Sequence, residues 1–384
     1  MEQKTTKRTI RTFALASFLN DFGSDMIYPI WPLFLSTVLN ANMETIGFID
    51  GLGDSIVSIS QAASGYAADK KRKRKIFIWT GYLFGSMSRI GYALSAVWEQ
   101  VIPFRILDRA GKMRGAPRDA IIADVSTDEN RGRNFGLLRA MDNLGATCGI
   151  ILCLLFVALF PFTEYRNLFL AAAVPSLIGA LLILILIKEV KISDTKLYRG
   201  ISLKDLDRNF KFFLFLSGLF ALGSFSYSFL LLFASNFGYD PALLVVLYLI
   251  FTAAASLFSL PFGKLSDKIG RKSVMMFSFV FWGLTSFSLI LSQNFWAIIL
   301  AFVMYGLHRG ALEPVQRAFV SELAPKEYRA SSLGGFQLVV GLCALPSSFI
   351  AGVLWDQIGI LTPFYVSLAL TVIATSMLAL VKEK

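Results

Sequence analysis

Apolar segments bounded by charged or turn residues recur along the chain at about 12–38, 44–68, 76–97, 100–123, 133–161, 165–187, 211–236, 241–262, 273–294, 295–321, 331–355 and 360–380. Each is long enough to carry an α-helix through a hydrocarbon core about 30 Å thick, for which roughly 20 residues suffice. The pattern predicts twelve transmembrane spans, an even number that leaves both ends of the chain on one side. The basic residues say which side. Lys4, Lys7, Arg8 and Arg11, the run Lys70 to Lys75, Arg131 and Arg133, and clusters at 188–211, 264–272, 326–329 and 382–384 hold 27 of the 37 Lys and Arg, whereas the loops after odd-numbered spans hold only Arg166. Lys and Arg gather on cytoplasmic loops, so both termini are expected in the cytoplasm. The longest polar connection, 188–210, reads as a cytoplasmic linker between a bundle at 1–187 and a second at 211–384.

Composition agrees: 55% of residues are apolar and 16% charged, against about 45–50% and about 25% in soluble domains. A water-soluble fold is excluded. The net charge of +11 follows from the topology of the basic loops and implies no nucleic-acid partner. Cys148, Cys153 and Cys343 lie in apolar runs without ligand spacing, so neither a disulfide framework nor a metal site is expected. The opening MEQKTTKRTIRTFALASFL runs without a cleavage site into the first span and reads as a retained helix. No phosphate-binding glycine loop, H-E-x-x-H or nucleophile–base pair is present, so no cofactor and no enzymatic activity are expected. The energy for any transport must then come from an ion gradient or from the solute's own.

An offset of 198 residues relates the two halves: Gly65 and Asp69 fall on Gly263 and Asp267, Asp124 on Glu322, Arg131 on Arg329 and Gly136 on Gly334. The chain is a duplicated six-helix unit, as transporter folds commonly are. The second copy of the loop, GKLSDKIGRK, resembles the motif G-x-x-x-D-[RK]-x-G-[RK]-[RK] of the major facilitator superfamily at Gly263, Asp267, Lys268, Gly270, Arg271 and Lys272. The first copy keeps Gly65, Asp69, Lys70, Lys73 and Arg74 but has Arg72 where the family places glycine. The string DRAGKMRGAPRDA in span 4 also resembles a bacterial subgroup of that superfamily. The resemblance implies an all-α membrane protein of two pseudo-symmetric six-helix bundles, with spans 1, 4, 7 and 10 around a central cavity. It also implies a cytoplasmic gate made by the loop motif, including Arg131 and Arg329. Physically, Gly263 would allow close helix approach, and Asp267 could accept hydrogen bonds from helix N-terminal N–H groups.

Charge inside the spans is the remaining clue. An ion at the centre of a span costs about 2.5–3.5 kcal/mol on insertion scales, so such groups face a cavity or one another. In span 4, helical spacing places Arg105, Asp108, Arg109, Lys112 and Asp119 on one face, with Arg114 and Arg118 pointing away. Span 1 presents Ser17, Asn20, Asp21, Ser24 and Tyr28 on one face with Asp25 at its edge, and Pro29 and Pro32 favour a kink. Span 2 aligns Asp50, Asp54, Ser58 and Gln61; spans 3 and 5 add Arg89, Arg139 and Asp142. The second half offers His308, Arg309 and Glu313 in span 10 and an aromatic wall of Phe225, Tyr227 and Phe229 in span 7.

Asn20, Tyr28, Arg89, Arg105, Asp108, Arg109, Lys112, Tyr227, Arg309 and Glu313 are therefore candidates to line the substrate cavity. Asp21, Asp25, Asp50, Asp54 and His308 are candidates for proton coupling, because buried carboxylates and imidazoles can exchange protons near neutral pH. Seven cations and seven acids in the N-terminal spans also permit purely internal pairing. These readings point to a monomeric, multi-pass secondary active transporter of a bacterial inner membrane, working by alternating access. It would couple protons to a small charged or amphiphilic organic solute. An iron–siderophore or metal transporter is the alternative of the same fold; a lipid flippase or a non-transporting sensor is the alternative of another class.

Overall fold

The computed structural model describes residues 2–71, 73–127, 130–161, 164–189, 206–324 and 329–383, and the side chains of all of these except 2–5, 65, 66, 69 and 329–331. Of the expected linker, residues 190–205 lie outside this set, as does Arg72. Among the described residues the chain is helical throughout: α1 (Glu2–Asp25), α2 (Trp31–Leu33), α3 (Met43–Lys71), α4 (Lys75–Leu94), α5 (Trp98–Ala110), α6 (Gly115–Asp124), α7 (Arg131–Leu159), α8 (Tyr165–Leu186), α9 (Arg208–Leu222), α10 (Tyr227–Asn236), α11 (Pro241–Ile269), α12 (Arg271–Leu291), α13 (Phe295–Leu323), α14 (Arg329–Gln357) and α15 (Thr362–Ala379). Counting α1–α2, α5–α6 and α9–α10 as interrupted spans recovers twelve crossings. Eight of them, spans 5 to 12, are long and apolar enough on their own. Spans 1 to 4 fall short because they carry the intramembrane charges and polar stripes.

Local chemistry sets the helix starts. Asp207, Asp240 and Asn294 cap α9, α11 and α13, accepting from Phe210, Leu243 and Ala297 N–H at 2.6, 2.8 and 2.8 Å, and Pro241 occupies the first position of α11. Three spans are interrupted. Span 1 unwinds over residues 26–30 around Pro29, before α2 and a π-helical turn at Phe34–Val38. Span 7 breaks at residues 223–226, where Ser226 caps α10 by accepting from Ser228 N–H at 3.3 Å. Span 4 is not one regular helix: Gly111–Arg114 form a 3₁₀ turn between α5 and α6. Four residues at 120° each, in place of 100°, turn everything beyond by about 80°.

By contacts the chain divides into two compact units, one of Met1–Asn40 with Ile56–Tyr198, the other of Ala41–Ser55 with Arg199–Lys384. α3 is shared: its first half belongs to the second unit. The first unit is built on Phe13, Ile78, Tyr82, Ile121, Leu138 and Ile183. The second is aromatic at its centre, where Phe220 stacks on Phe279 at 3.7 Å and Trp282 packs on Phe225 and Tyr305. Apolar side chains left outside, such as Leu159, Ile185, Leu257 and Leu291, suit a hydrocarbon surround.

Candidate functional site

In the first unit, Arg89 of α4 is fully buried and ties three spans together. Its guanidinium donates to Ala172 O at 2.8 Å and to Ser176 Oγ on α8, and to Ser24 Oγ at 2.8 Å and Asn20 O at 3.4 Å on α1. Ser176 Oγ donates in turn to Asn20 Oδ1 at 3.3 Å, and Asn20 Nδ2 to Asp21 Oδ1 at 2.9 Å. Gly85 leaves a small gap where Asn20 Oδ1, Arg89 Nη2 and Asp108 Oδ1 converge at 3.6 to 4.0 Å from where a Cβ would stand.

Beside this knot, the α5 cations lie against the unwound part of span 1. Arg105, 1% exposed, lies 4.4 Å over the Trp31 ring. Arg109, 9% exposed, lies 5.3 Å over the Tyr28 ring and donates to its hydroxyl at 3.5 Å. Asp108 stands 3.7 Å from Arg109. The structure thus brings Asn20, Asp21 and Arg89 together, and Tyr28, Asp108 and Arg109. Asp21 and Lys112 are half-buried, as is Asp25 at the end of α1.

Arg114 and Arg118 do not point away as the helical wheel expects, because the 3₁₀ turn rotates them inward. Arg114 lies 4.8 Å over Tyr82 and donates to Gly111 O at 3.0 Å. Arg118 donates to Ser17 Oγ at 2.8 Å and pairs with Asp119 at 3.0 Å.

In the second unit, Asp50 is 1% exposed and accepts from Ser226 Oγ at 2.7 Å and Ser228 Oγ at 2.5 Å. Asp54, one turn on, is exposed. Arg309 and Glu313 pair with each other at 2.5 Å and are about half exposed, 46% and 47%. His308 is buried in an aromatic shell of Phe220, Trp282 and Tyr305. With a proton on Nδ1 it donates to Ser278 O at 2.9 Å, and Ser278 Oγ donates to His308 O at 3.2 Å. Tyr227 is half-buried against Tyr248. Phe225 and Phe229 do not form a wall with it: both are core residues, packed on Trp282, Trp355 and Phe364.

The loop motif is organised by residues outside it. In the second copy Arg271 pairs with Glu322 at 2.8 Å, and Glu383 accepts from the backbone N–H groups of Arg271 and Lys272 at the start of α12. In the first copy Arg74 pairs with Asp124 at 2.5 Å, and Glu189 accepts from Arg74 and Lys75 N–H at 2.7 and 3.3 Å. Asp267, expected to accept from helix N–H groups, is exposed, and the start of α12 is held by Glu383 instead. Gly263 mediates no close approach among the described residues, since nothing lies within 4 Å of a Cβ built there; Gly270 turns at φ +93°. Lys70, Lys268 and Arg131 are exposed, and the side chains of Asp69 and Arg329, with Gly65, lie outside the described set.

Sequence reasoning missed Trp31, Ser176, Ser226, Ser228, Glu189 and Glu383. The last two are the acids that follow the final apolar span of each half, a signal available in the sequence, but their offset of 194 residues hides them from a search at 198.

A duplicated set of six membrane-spanning helices with ionic and aromatic groups held inside the spans defines a multi-pass secondary transporter. The chain belongs to the Major Facilitator Superfamily, whose profile matches residues 13–212 and 212–384. It is 37% identical over 357 residues to an MFS-type transporter of Methanocaldococcus jannaschii, covering 91% of this chain and 88% of that one. Its fold is that of the nucleoside transporter NupG (TM-score 0.81, 17% identity, 97% of this chain and 100% of the other). A POT peptide transporter is similar in fold (TM-score 0.76, 14% identity, 99% and 98% covered).

Proposed function

We propose that the protein is a proton-coupled secondary active transporter that carries a small organic solute bearing an anionic group across a bacterial inner membrane by alternating access. In this reading it acts as a monomer, with both termini in the cytoplasm and with bundles at 1–187 and 211–384 joined by the linker at 188–210. The carrying observation is the pair Arg105 and Arg109: buried guanidinium groups in span 4, faced by Trp31 and Tyr28 beside the unwound part of span 1. Each costs about 2.5–3.5 kcal/mol to hold within a membrane. Guanidinium groups recognise carboxylate and phosphate by paired hydrogen bonds, and the aromatic rings supply an apolar surface for the rest of the solute. A hard cation would meet repulsion from Arg89, Arg105, Arg109 and Lys112, which disfavours the metal-carrier alternative.

The test is a thermal-shift screen of purified protein against organic anions, cations, siderophores and metals at two pH values, followed by flux into liposomes for each hit. Stabilisation by organic anions together with uptake driven by an imposed pH gradient supports the reading. Stabilisation by cations alone, or binding without flux, overturns it.

A further inference from the structure

Arg309 is the middle residue of the 29 in α13, and Tyr305, Arg309 and Glu313 follow at four-residue steps along one of its faces. Arg309 and Glu313 pair at 2.5 Å, yet both side chains stay about half exposed. A pair one turn apart adds little to a helix, far less than it costs to hold each charge in mid-span. Helix stability does not account for the pair. The face is turned from lipid as well: Asp54 on α3, Tyr248 on α11 and Tyr305 all lie within electrostatic reach of Arg309, and charges in a span face a cavity or one another.

Aromatic rings join these helices. Tyr305 packs on Phe251 at 5.0 Å, Phe251 on Tyr248 at 4.7 Å and Tyr248 on Tyr227 of α10 at 5.4 Å. Tyr305, Phe251 and Tyr248 are buried, and Tyr227 ends the ladder half-buried. The hydroxyls of its neighbours Ser226 and Ser228 hold Asp50, one turn before Asp54 on α3. The ladder therefore runs from the face that bears Arg309 and Glu313 to the helix that bears Asp54.

Charge decides what such a place attracts. Asp50, Asp54 and Glu313 stand against Arg309 and, one further turn along α13, Arg317, an excess of one negative charge. Asp50 is buried under its two serine bonds, which leaves the exposed carboxylates of Asp54 and Glu313 to meet a ligand. Hard metal ions take six or more oxygens, and no set of three or more His, Cys, Asp or Glu among the described residues can hold one. An organic ammonium ion asks for less: opposite charge on one side and the face of an aromatic ring on the other.

We propose that Asp54, Glu313 and the ring of Tyr227 form a binding site for an organic ammonium group within the second unit. Asp54 and Glu313 supply the negative charge that Arg309 neutralises only in part, and Tyr227, backed by Tyr248, offers its ring to the carbons on the nitrogen. The site goes beyond the anion recognition proposed above and is made of other residues. The group belongs either to the transported solute or to a separate amine.

Thermal-shift titration of the purified full-length protein with tetramethylammonium chloride, against sodium chloride at equal ionic strength, tests the site. Organic anions test the reading above, so the two fail separately. The melting temperature should rise saturably with tetramethylammonium and not with sodium. Asp54→Asn and Glu313→Gln should each weaken the apparent affinity about tenfold, and Tyr227→Leu about fivefold, whereas Tyr227→Phe should keep it. Because Glu313→Gln also releases Arg309, Asp54→Asn is the variant that leaves the pair intact. Repeating the titration with each organic anion found to stabilise the protein tells the two sources apart. An altered affinity for tetramethylammonium couples the group to the transported solute, and an unaltered one assigns it to a separate amine; both keep the site. No saturable shift in the unsubstituted protein, or a shift that Asp54→Asn and Tyr227→Leu leave unchanged, overturns it.

Discussion

Arg89 and Arg109 are both arginines buried inside spans of the first unit, yet their surroundings ask different things of them. Arg89 has four oxygens on α1 and α8 fixed around it, so its removal strands several buried acceptors at once. Arg89→Met should lower stability by about 3 kcal/mol or more, read as a fall in melting temperature, and Arg89→Lys should not rescue it because one ammonium cannot reach both helices. Arg109 faces Tyr28 and stands 3.7 Å from Asp108. If it holds the solute, Arg109→Gln should weaken binding by about 1–3 kcal/mol with the protein still folded. Lost stability that returns with a second change, Asp108→Asn, would instead mark a structural pair. His308 shares the buried, bonded surroundings of Arg89: it is enclosed by aromatic rings and bonded to Ser278, as a packing residue would be. His308→Asn, which keeps a donor near Nδ1, should leave the pH profile of uptake unchanged; a profile flattened by it would return His308 to the coupling path.

At the scale of the elements, the spans were legible because about twenty apolar residues between charged loops admit few other structures, and the repeat was legible because its offset held without gaps from Gly65 to Gly136. The face of span 4 was legible only as far as Ala110. Nothing in GKMR announces a 3₁₀ turn, and the turn by itself moves Arg114 and Arg118 to the buried side. The breaks show the same division. Pro29 marks the first, but the second, at GSFS, is held by groups distant in sequence: Asp50, Ser348, Trp282 and Ser367. The helix starts after the motif loops depend likewise on acids more than 100 residues away. Glu383→Ala should therefore cost about 1 kcal/mol, as loss of a helix cap does. A double-mutant cycle on the partly exposed pair Arg271 and Glu322 should return a coupling of about 1 kcal/mol. A coupling near zero would mean that the pair contributes nothing to the fold.

For the whole molecule, the proposed anion site and the proposed proton coupling constrain each other through charge balance. Each unit charge moved across 100 mV is worth about 2.3 kcal/mol, roughly fifty-fold in accumulation, and each pH unit about 1.4 kcal/mol, or tenfold. A solute that presents one net negative charge to Arg105 and Arg109 and travels with one proton moves no net charge. Its accumulation should rise about tenfold per unit of pH gradient and ignore a potassium diffusion potential imposed with valinomycin. A zwitterionic or neutral solute carried with one proton should respond to both. Proteoliposomes in which the pH gradient and the potential are set independently separate these cases, and the slope against each gives the protons and charges moved per solute. Accumulation that follows both gradients would remove the net negative charge from a solute carried with one proton, and accumulation that follows the potential alone, or neither gradient, would remove the proton from the cycle.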